Sequence, residues 1–224
     1  MIELRKVAYS YGGGELFAGV SLALQPGSFH FLTGPSGAGK TTLMRLLTAE
    51  LLPTQGEVSL FGQATDAMSR DDVAGARRRI GFVHQDCQFL DHLTLAENVM
   101  LPLAVAGRQP EAQGNIAELL AWVGLLKQAD RRPPSLSGGE RQRAALARAV
   151  IGSPEVVLAD EPTGNIDWEM SQRLLTLLAE LNRMGRTVLV ATHDLNLIRA
   201  ARALVPARSL RLAQGRLVAA GADL

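Results

Sequence analysis

The chain has 224 residues, 47% of them hydrophobic, enough to bury a full core as one domain with room for a subdomain. A formal net charge of +1 with 20% charged residues excludes a global field that would pull it onto nucleic acid or an anionic membrane, so any such partner must meet a local patch. A single cysteine, Cys87, excludes an internal disulfide framework and a multi-cysteine metal site and suits a reducing compartment, where it is expected to be inert.

Residues Met1 to Lys6 lack the basic-then-apolar pattern of a secretory signal, so the expected location is the cytoplasm. The stretch before residue 29, with Tyr11-Gly-Gly-Gly14 and Gln25-Pro-Gly27, predicts short antiparallel strands joined by turns. Four short apolar runs then precede polar residues. Phe29–Thr33 leads into a glycine-rich loop, Ile80–His84 into Gln85, Val156–Ala159 into Asp160 and Glu161, and Thr187–Thr192 into His193. Separated by helical patterns, these runs predict an α/β fold with a mostly parallel central sheet. Ligands of such sheets bind beyond the carboxyl ends of the strands, so the four polar groups are expected to converge on one crevice. Between Gln85 and Asp160 the pattern turns helical. Ile116, Leu119, Leu120 and Val123 share one face, and the expected helical subdomain runs from about 94 to 152 within a single 1–224 domain. The apolar stretch Val99–Ala106 contains Pro102 and is far shorter than the roughly 20 residues of a membrane span. The C-terminal stretch is expected to add little beyond a strand near Arg216 to Ala219.

Two glycine motifs carry the chemistry. Gly34, Pro35, Ser36, Gly37, Ala38, Gly39, Lys40, Thr41 and Thr42 fit a phosphate-binding loop. Its backbone N–H groups approach a polyphosphate, Lys40 supplies a point charge and the Thr41 hydroxyl is a candidate Mg²⁺ ligand. Downstream, Ser137, Gly138, Gly139 and Glu140 form a capping box at the start of a helix running to Val150. The N–H groups there, and the positive end of the helix dipole, can face a second anion.

In their order along the chain these motifs resemble the ABC-type ATPase subunits over nearly the whole length. Tyr11 stands as the aromatic before Walker A, Gln85 as the Q-loop glutamine, Leu136–Glu140 as the signature, Asp160 and Glu161 as Walker B, Gly164–Asp167 as the D-loop and His193 as the switch histidine. The stretches Gly27–Gly34, Phe89–Thr94, Glu97–Leu103 and Glu161–Asp167 are similar to the cell-division branch of that family, the FtsE type. The chain departs from the family at Trp168, usually proline, at Arg141, usually glutamine, and at Ile166, usually leucine; none removes a reacting group.

The resemblance implies a P-loop NTPase fold with a central mostly parallel sheet, an N-terminal antiparallel β-subdomain and a helical signature subdomain, and it implies ATP and Mg²⁺ as cofactors. Phosphoryl transfer needs charge neutralisation, an in-line water and a base. Lys40 and the amides of Gly37, Gly39, Thr41 and Thr42 are expected to hold the β and γ phosphates, with Tyr11 stacking on adenine. Thr41 and Gln85 are the expected Mg²⁺ ligands, with Asp160 expected to hold the metal through water, since a hard cation prefers oxygen and keeps several waters. Alternation along an extended chain is expected to turn Glu161 away from Asp160, toward the attacking water, as general base. By resemblance His193 is expected to sense the γ-phosphate and to orient Glu161 and the water. The signature residues Ser137, Gly138, Gly139 and Glu140 are expected to complete the Walker A site of a second copy in an ATP-dependent head-to-tail homodimer, with Asp167 linking the two sites.

The expected role is an ATP-hydrolysing subunit on the cytoplasmic face of the bacterial inner membrane. It would drive an FtsX-like integral membrane protein to control cell-wall hydrolysis, with no nucleic-acid partner. The apolar residues of Gln88–Leu103 are read either as a docking cleft for that partner or as subdomain core. The alternatives are the ATPase of a lipoprotein exporter or small-solute transporter, and a nucleotide-gated scaffold with little turnover.

Overall fold

A computed structural model of the chain describes residues 1–164 and 166–219, with side chains described except at 109–114; Asn165 of the expected D-loop lies outside the described residues. Its elements are β1 (Ile2–Ser10), β2 (Glu15–Leu24), β3 (Phe29–Thr33), α1 (Lys40–Leu47), β4 (Gln55–Leu60), β5 (Gln63–Ala64), α2 (Arg70–Arg78) and β6 (Ile80–Val83). They continue as α3 (Leu95–Val105), α4 (Gln109–Trp122), α5 (Gly138–Val150), β7 (Val156–Asp160), α6 (Trp168–Arg183), β8 (Thr187–Ala191), α7 (Leu195–Ala201), β9 (Ala207–Ala213) and β10 (Arg216–Ala219), with two short 3₁₀ turns between α4 and α5.

The strands form two sheets. An antiparallel sheet has the order β2-β1-β4-β5, and the central sheet has the order β10-β9-β3-β8-β7-β6. In the central sheet every pairing is parallel except β10 with β9. This is the mixed α/β arrangement that the apolar runs predict. Strands β3, β7 and β8 are buried at every residue because both faces of the sheet are covered.

Alternation along those strands divides their side chains between two layers. Leu32, Leu158 and Leu189 pack toward α1 (Leu43, Leu46 and Leu47) and the antiparallel sheet. Phe31, Val157 and Val190 pack on the other side against Leu174, Leu175 and Leu178 of α6. A third cluster joins α3, α4 and α5, where Leu95 and Val99 meet Leu120, Val123 and Ala144, with Ile116 and Leu119 packed at its edge. Thr94 and Glu97 close a capping box that starts α3, so the N–H groups of Thr94 and Glu97 are answered where the helix begins.

The C-terminal stretch does more than its sequence suggests. Strand β9 lies directly beside β3, paired from Phe29–Ala207 to Thr33–Arg211. Its burial pattern is weak, with Arg208 and Arg211 exposed and only Leu212 fully buried.

One glycine fixes how α5 meets the sheet. A Cβ on Gly81 of β6 would lie 2.2 Å from the Ala149 carbonyl oxygen at the end of α5. Gly81→Ala is therefore expected to destabilise the protein by at least the roughly 1–3 kcal/mol typical of overpacking. Gly75→Ala in α2 meets nothing within 4 Å and should stabilise by about 0.5–1 kcal/mol. Thermal unfolding of both variants gives the answer, and equal melting temperatures would contradict this packing.

Candidate nucleotide site

The carboxyl ends of β3, β7 and β8 are adjacent in the sheet, and a cavity of about 460 Å³ opens there. Lys40, Thr41, Gln85, Asp160, Glu161 and His193 all line it, so the residues following four separate apolar runs do converge. Ser36, Gly37, Gly39 and Thr42 line it as well. Gly34 and Pro35 take part through their carbonyls, which accept from Lys40 Nζ at 3.0 and 3.5 Å. Ala38 closes the turn, its N–H donating to the Pro35 carbonyl at 3.2 Å.

The loop leads into α1 through Gly39, whose φ of 98° is left-handed and whose lack of a side chain leaves the helix start without a side-chain cap. The N–H groups of that first turn are therefore uncapped by side chains, the arrangement that favours an anion at a helix N-terminus. Leu16 of β2 packs against this point, within 3.0 Å of where a Gly39 Cβ would stand, and also lines the cavity. No motif marks Leu16 in the sequence, since its place depends on how the antiparallel sheet folds over the loop.

Asp160 ends β7 and is only 3% exposed. Burial pushes its carboxyl above the usual carboxylate range, opposed by a hydrogen bond from Thr41 and by the Lys40 charge. One of its oxygens, Oδ1, is buried with no hydrogen-bond partner. Together with the Thr41 hydroxyl and the Gln85 amide on the same cavity, that orphaned oxygen makes a hard, oxygen-rich donor set suited to a small divalent cation.

Glu161 is separated from Asp160 by backbone conformation and not by strand alternation, which corrects the expected cause. Its φ is 45°, a left-handed turn just past the strand, held by its N–H donating to the Ala191 carbonyl at 2.9 Å. This is costly for a residue with a Cβ and turns the carboxylate into the cavity. There Oε1 lies 3.5 Å from Lys40 Nζ and Oε2 lies 3.0 Å from His193 Nδ1. Nothing in the sequence shows that Lys40 and Glu161 pair.

Tyr11 is 60% exposed, stands edge-on to Tyr9 at 4.9 Å and exchanges a 3.0 Å hydrogen bond with the Thr42 hydroxyl. It lies at the cavity, where an exposed aromatic ring can stack on a planar group. Cys87, two residues beyond Gln85, is buried, donates to Gln142 Oε1 at 2.7 Å and is pushed up to about 11 by burial, which suits an inert thiol.

The second glycine motif lies elsewhere. Ser137 and Glu140 form the capping box of α5, the Ser137 hydroxyl accepting from the Glu140 N–H at 3.2 Å and Glu140 accepting from the Ser137 N–H at 2.7 Å. None of Ser137, Gly138, Gly139 and Glu140 lines the nucleotide cavity of its own chain. Asp167 is also outside it and caps α6, accepting from the Met170 N–H at 2.8 Å. Trp168, the first residue of α6, is 45% exposed.

The ABC transporter family matches residues 17–164. The cell division ATP-binding protein FtsE of Escherichia coli K12 is 44% identical over 200 residues, covering 88% of this chain and 90% of that protein. The macrolide export ATP-binding/permease protein MacB of Marinobacter nauticus is 39% identical over 224 residues, covering 97% of this chain but 34% of that protein. Among solved structures, the dimeric post-hydrolysis state of the ATP-binding cassette MJ0796, bound to ADP and Pi, superposes with a TM-score of 0.86 at 34% identity, covering 97% of this chain and 96% of that one. The motif order, the convergent strand ends and these likenesses agree: the chain belongs to the ABC transporter family, as one of its ATPase domains.

Proposed function

We propose that this ATPase domain hydrolyses Mg²⁺-ATP as a head-to-tail homodimer and drives a separate FtsX-like membrane protein in cell division, working at the cytoplasmic face of the bacterial inner membrane. The observation that carries the chemistry is the chain of contacts from Lys40 through Glu161 to His193 in the cavity beyond the phosphate loop. Likeness to FtsE across 90% of that protein's length supports the cell-division role. No helix among the described residues is long and apolar enough to cross a membrane, so the reading assigns the span to a partner.

In this reading the uncapped N–H groups of the loop and Lys40 bind the β and γ phosphates, and Tyr11 stacks on adenine. Thr41, Gln85 and Asp160 would hold Mg²⁺, which would supply charge neutralisation on the phosphates. Phosphate oxygens compete with Glu161 for the Lys40 ammonium, which frees the carboxylate when ATP arrives. Glu161 then takes the proton of the attacking water, and the Nδ1 contact of His193 holds its carboxylate in place. The signature residues Ser137, Gly138 and Gly139, outside their own cavity, present the N-terminus of α5 to the γ-phosphate bound by the other copy, and Asp167 links the two sites. Residues 94–152 act as the helical subdomain that carries this second anion-facing end.

The apolar stretch after Gln85 divides between the two roles first considered for it. Leu95 and Val99 are fully buried, and Phe89 packs into the core beneath the Arg148 guanidinium, 4.6 Å from its ring centre. Leu90 is 45% exposed while its backbone is pinned to Asn98 by two hydrogen bonds, so it is the residue assigned to the membrane partner. A second reading, the ATPase of an exporter such as MacB, is favoured by likeness to that protein over 97% of this chain. Identifying the membrane protein that co-purifies separates the two.

Three outcomes test the proposal. Lys40→Ala should weaken ATP binding, whereas Glu161→Gln should bind ATP at least as tightly and release phosphate about 10²–10⁴-fold more slowly, the loss expected for a general base; near-normal turnover in Glu161→Gln would sink the base assignment. Lys40→Ala and Ser137→Arg chains should each be inactive alone and regain ATPase activity when mixed, because one mixed site is intact. Heterodimers that form without activity count against the composite site. Leu90→Glu should lose the membrane partner on co-purification while keeping its melting temperature and basal turnover, because an unpartnered charge opposes apolar contact. Unchanged co-purification would remove Leu90 from the docking surface.

A further inference from the structure

A cavity of about 440 Å³ lies between α4, the end of α5, the start of β7 and the end of α6. It sits by the amino end of β7, whose carboxyl end carries Asp160, and no residue lines both it and the nucleotide cavity. Its volume falls within the roughly 300–1,000 Å³ of small-molecule sites. Most of the wall is apolar, including Leu119 and Trp122 of α4, Val150 of α5 and Met184 just past α6. The Trp122 indole N–H donates to Glu180 Oε2 of α6 at 2.8 Å, so what this ring offers the cavity is apolar surface. Leu119 and Trp122 pack against both the α6 layer of the core and the cluster of α3, α4 and α5. The cavity therefore lies at the joint between the helical segment and the central sheet.

Two charges of opposite sign line this apolar space, Glu118 on α4 and Arg186 just before β8. They do not pair with each other, and among the described residues neither side chain makes a hydrogen bond or an ion pair. The carboxylate of Glu155, which feels the Arg186 charge, is already held by Arg79 at 2.7 and 2.9 Å. A ligand with a single charge would answer one of the two groups and leave the other to lose water without a partner. A ligand carrying both a carboxylate and an ammonium answers both, and the planar guanidinium fork matches the carboxylate.

We propose that this cavity binds a small zwitterion with an apolar side group, the chemistry of an aromatic or large aliphatic amino acid. Arg186 takes the carboxylate, Glu118 takes the ammonium, and Leu119, Trp122, Val150 and Met184 receive the side group. A ligand held at once by α4 and by the segment after α6 ties the helical cluster to the central sheet. Occupancy thereby restrains the segment that carries Ser137 to Gly139 and slows ATP turnover without touching ATP. That restraint rests on the composite site proposed above; the binding itself does not.

L-phenylalanine and L-leucine are the probes, titrated by calorimetry into the full chain without nucleotide, so that a failure of the ATPase reading is told apart from a failure of this one. Trp122 and Trp168 are the two tryptophans of the chain, and in a Trp168→Phe background the emission of Trp122 reports occupancy directly. The expected result is binding of at least one probe with a change in Trp122 emission. 3-Phenylpropionate and phenethylamine, each lacking one of the two charges, should bind about ten-fold or more weakly than L-phenylalanine where that is the probe bound, the usual effect of losing a charge-assisted hydrogen bond. Arg186→Gln and Glu118→Gln should each weaken the amino acid by a similar factor, and Lys40→Ala should leave it unchanged. Neither side chain is buried, so both variants should keep their melting temperature and ATP affinity. No binding of either amino acid at millimolar concentration, single-charge analogues that bind as well as L-phenylalanine, or binding that both variants spare would overturn the site. Binding that leaves ATP turnover unchanged would overturn the restraint.

Discussion

The nucleotide site depends on how closely the backbone of the phosphate loop lies on the neighbouring strand. A Cβ at Gly34 would stand 2.2 Å from the carbonyl oxygen of Leu212 in β9, and its φ of 150° is one that side-chain-bearing residues rarely adopt. With glycine there, the chain turns out of the fully buried β3 straight into the loop, Lys40 reaches back to the Gly34 carbonyl, and α1 starts without a side-chain cap. Asp160, Glu161 and His193 are brought to the same place because β7 and β8 are neighbours of β3 in the central sheet. Any residue at Gly34 that pushed the loop off β9 would misplace the lysine against all three.

Around that loop the protein holds charges in conditions that favour change. Lys40 and Asp160 are nearly fully buried; Lys40 donates to two carbonyls and lies 3.5 Å from Glu161, while Asp160 keeps an oxygen with no partner. A buried charge with partial compensation is destabilising relative to a fully satisfied one. In the proposed function a polyphosphate and a divalent cation would complete both sets of contacts, so binding would relieve a cost already present in the fold. The left-handed turn at Glu161 belongs to the same arrangement, since it places one carboxylate within reach of both the lysine and the histidine.

Much of this was legible in the sequence because local chemistry leaves a local signature. The apolar runs of β3, β7 and β8 predict buried parallel strands, the Ser137–Glu140 spacing predicts the capped start of α5, and the Ile116–Val123 face predicts the helical packing. What was hidden rests on contacts between distant segments. Strand β9 looks too polar for a central strand, with two arginines exposed and only Leu212 buried, yet it supports the phosphate loop. Leu16 reaches the cavity only through the fold of β2 over the loop, and the conformation of Glu161 is fixed by a hydrogen bond to β8. Glu161 reaches the cavity through a left-handed turn and not through the strand alternation expected of it.

A single chain leaves the anion-facing start of α5 outside its own nucleotide cavity, and this separation is the physical basis for assigning the working enzyme to a pair of chains. The MJ0796 cassette, similar to this chain at 34% identity and a TM-score of 0.86, is itself dimeric. Sedimentation of the Glu161→Gln chain with saturating Mg²⁺-ATP and, separately, with Mg²⁺-ADP tests the account most directly. It predicts a dimer with ATP and a monomer with ADP, because only the γ-phosphate reaches the second chain's signature helix. A chain that stays monomeric with ATP fully bound, or that dimerises equally well with ADP, would contradict it.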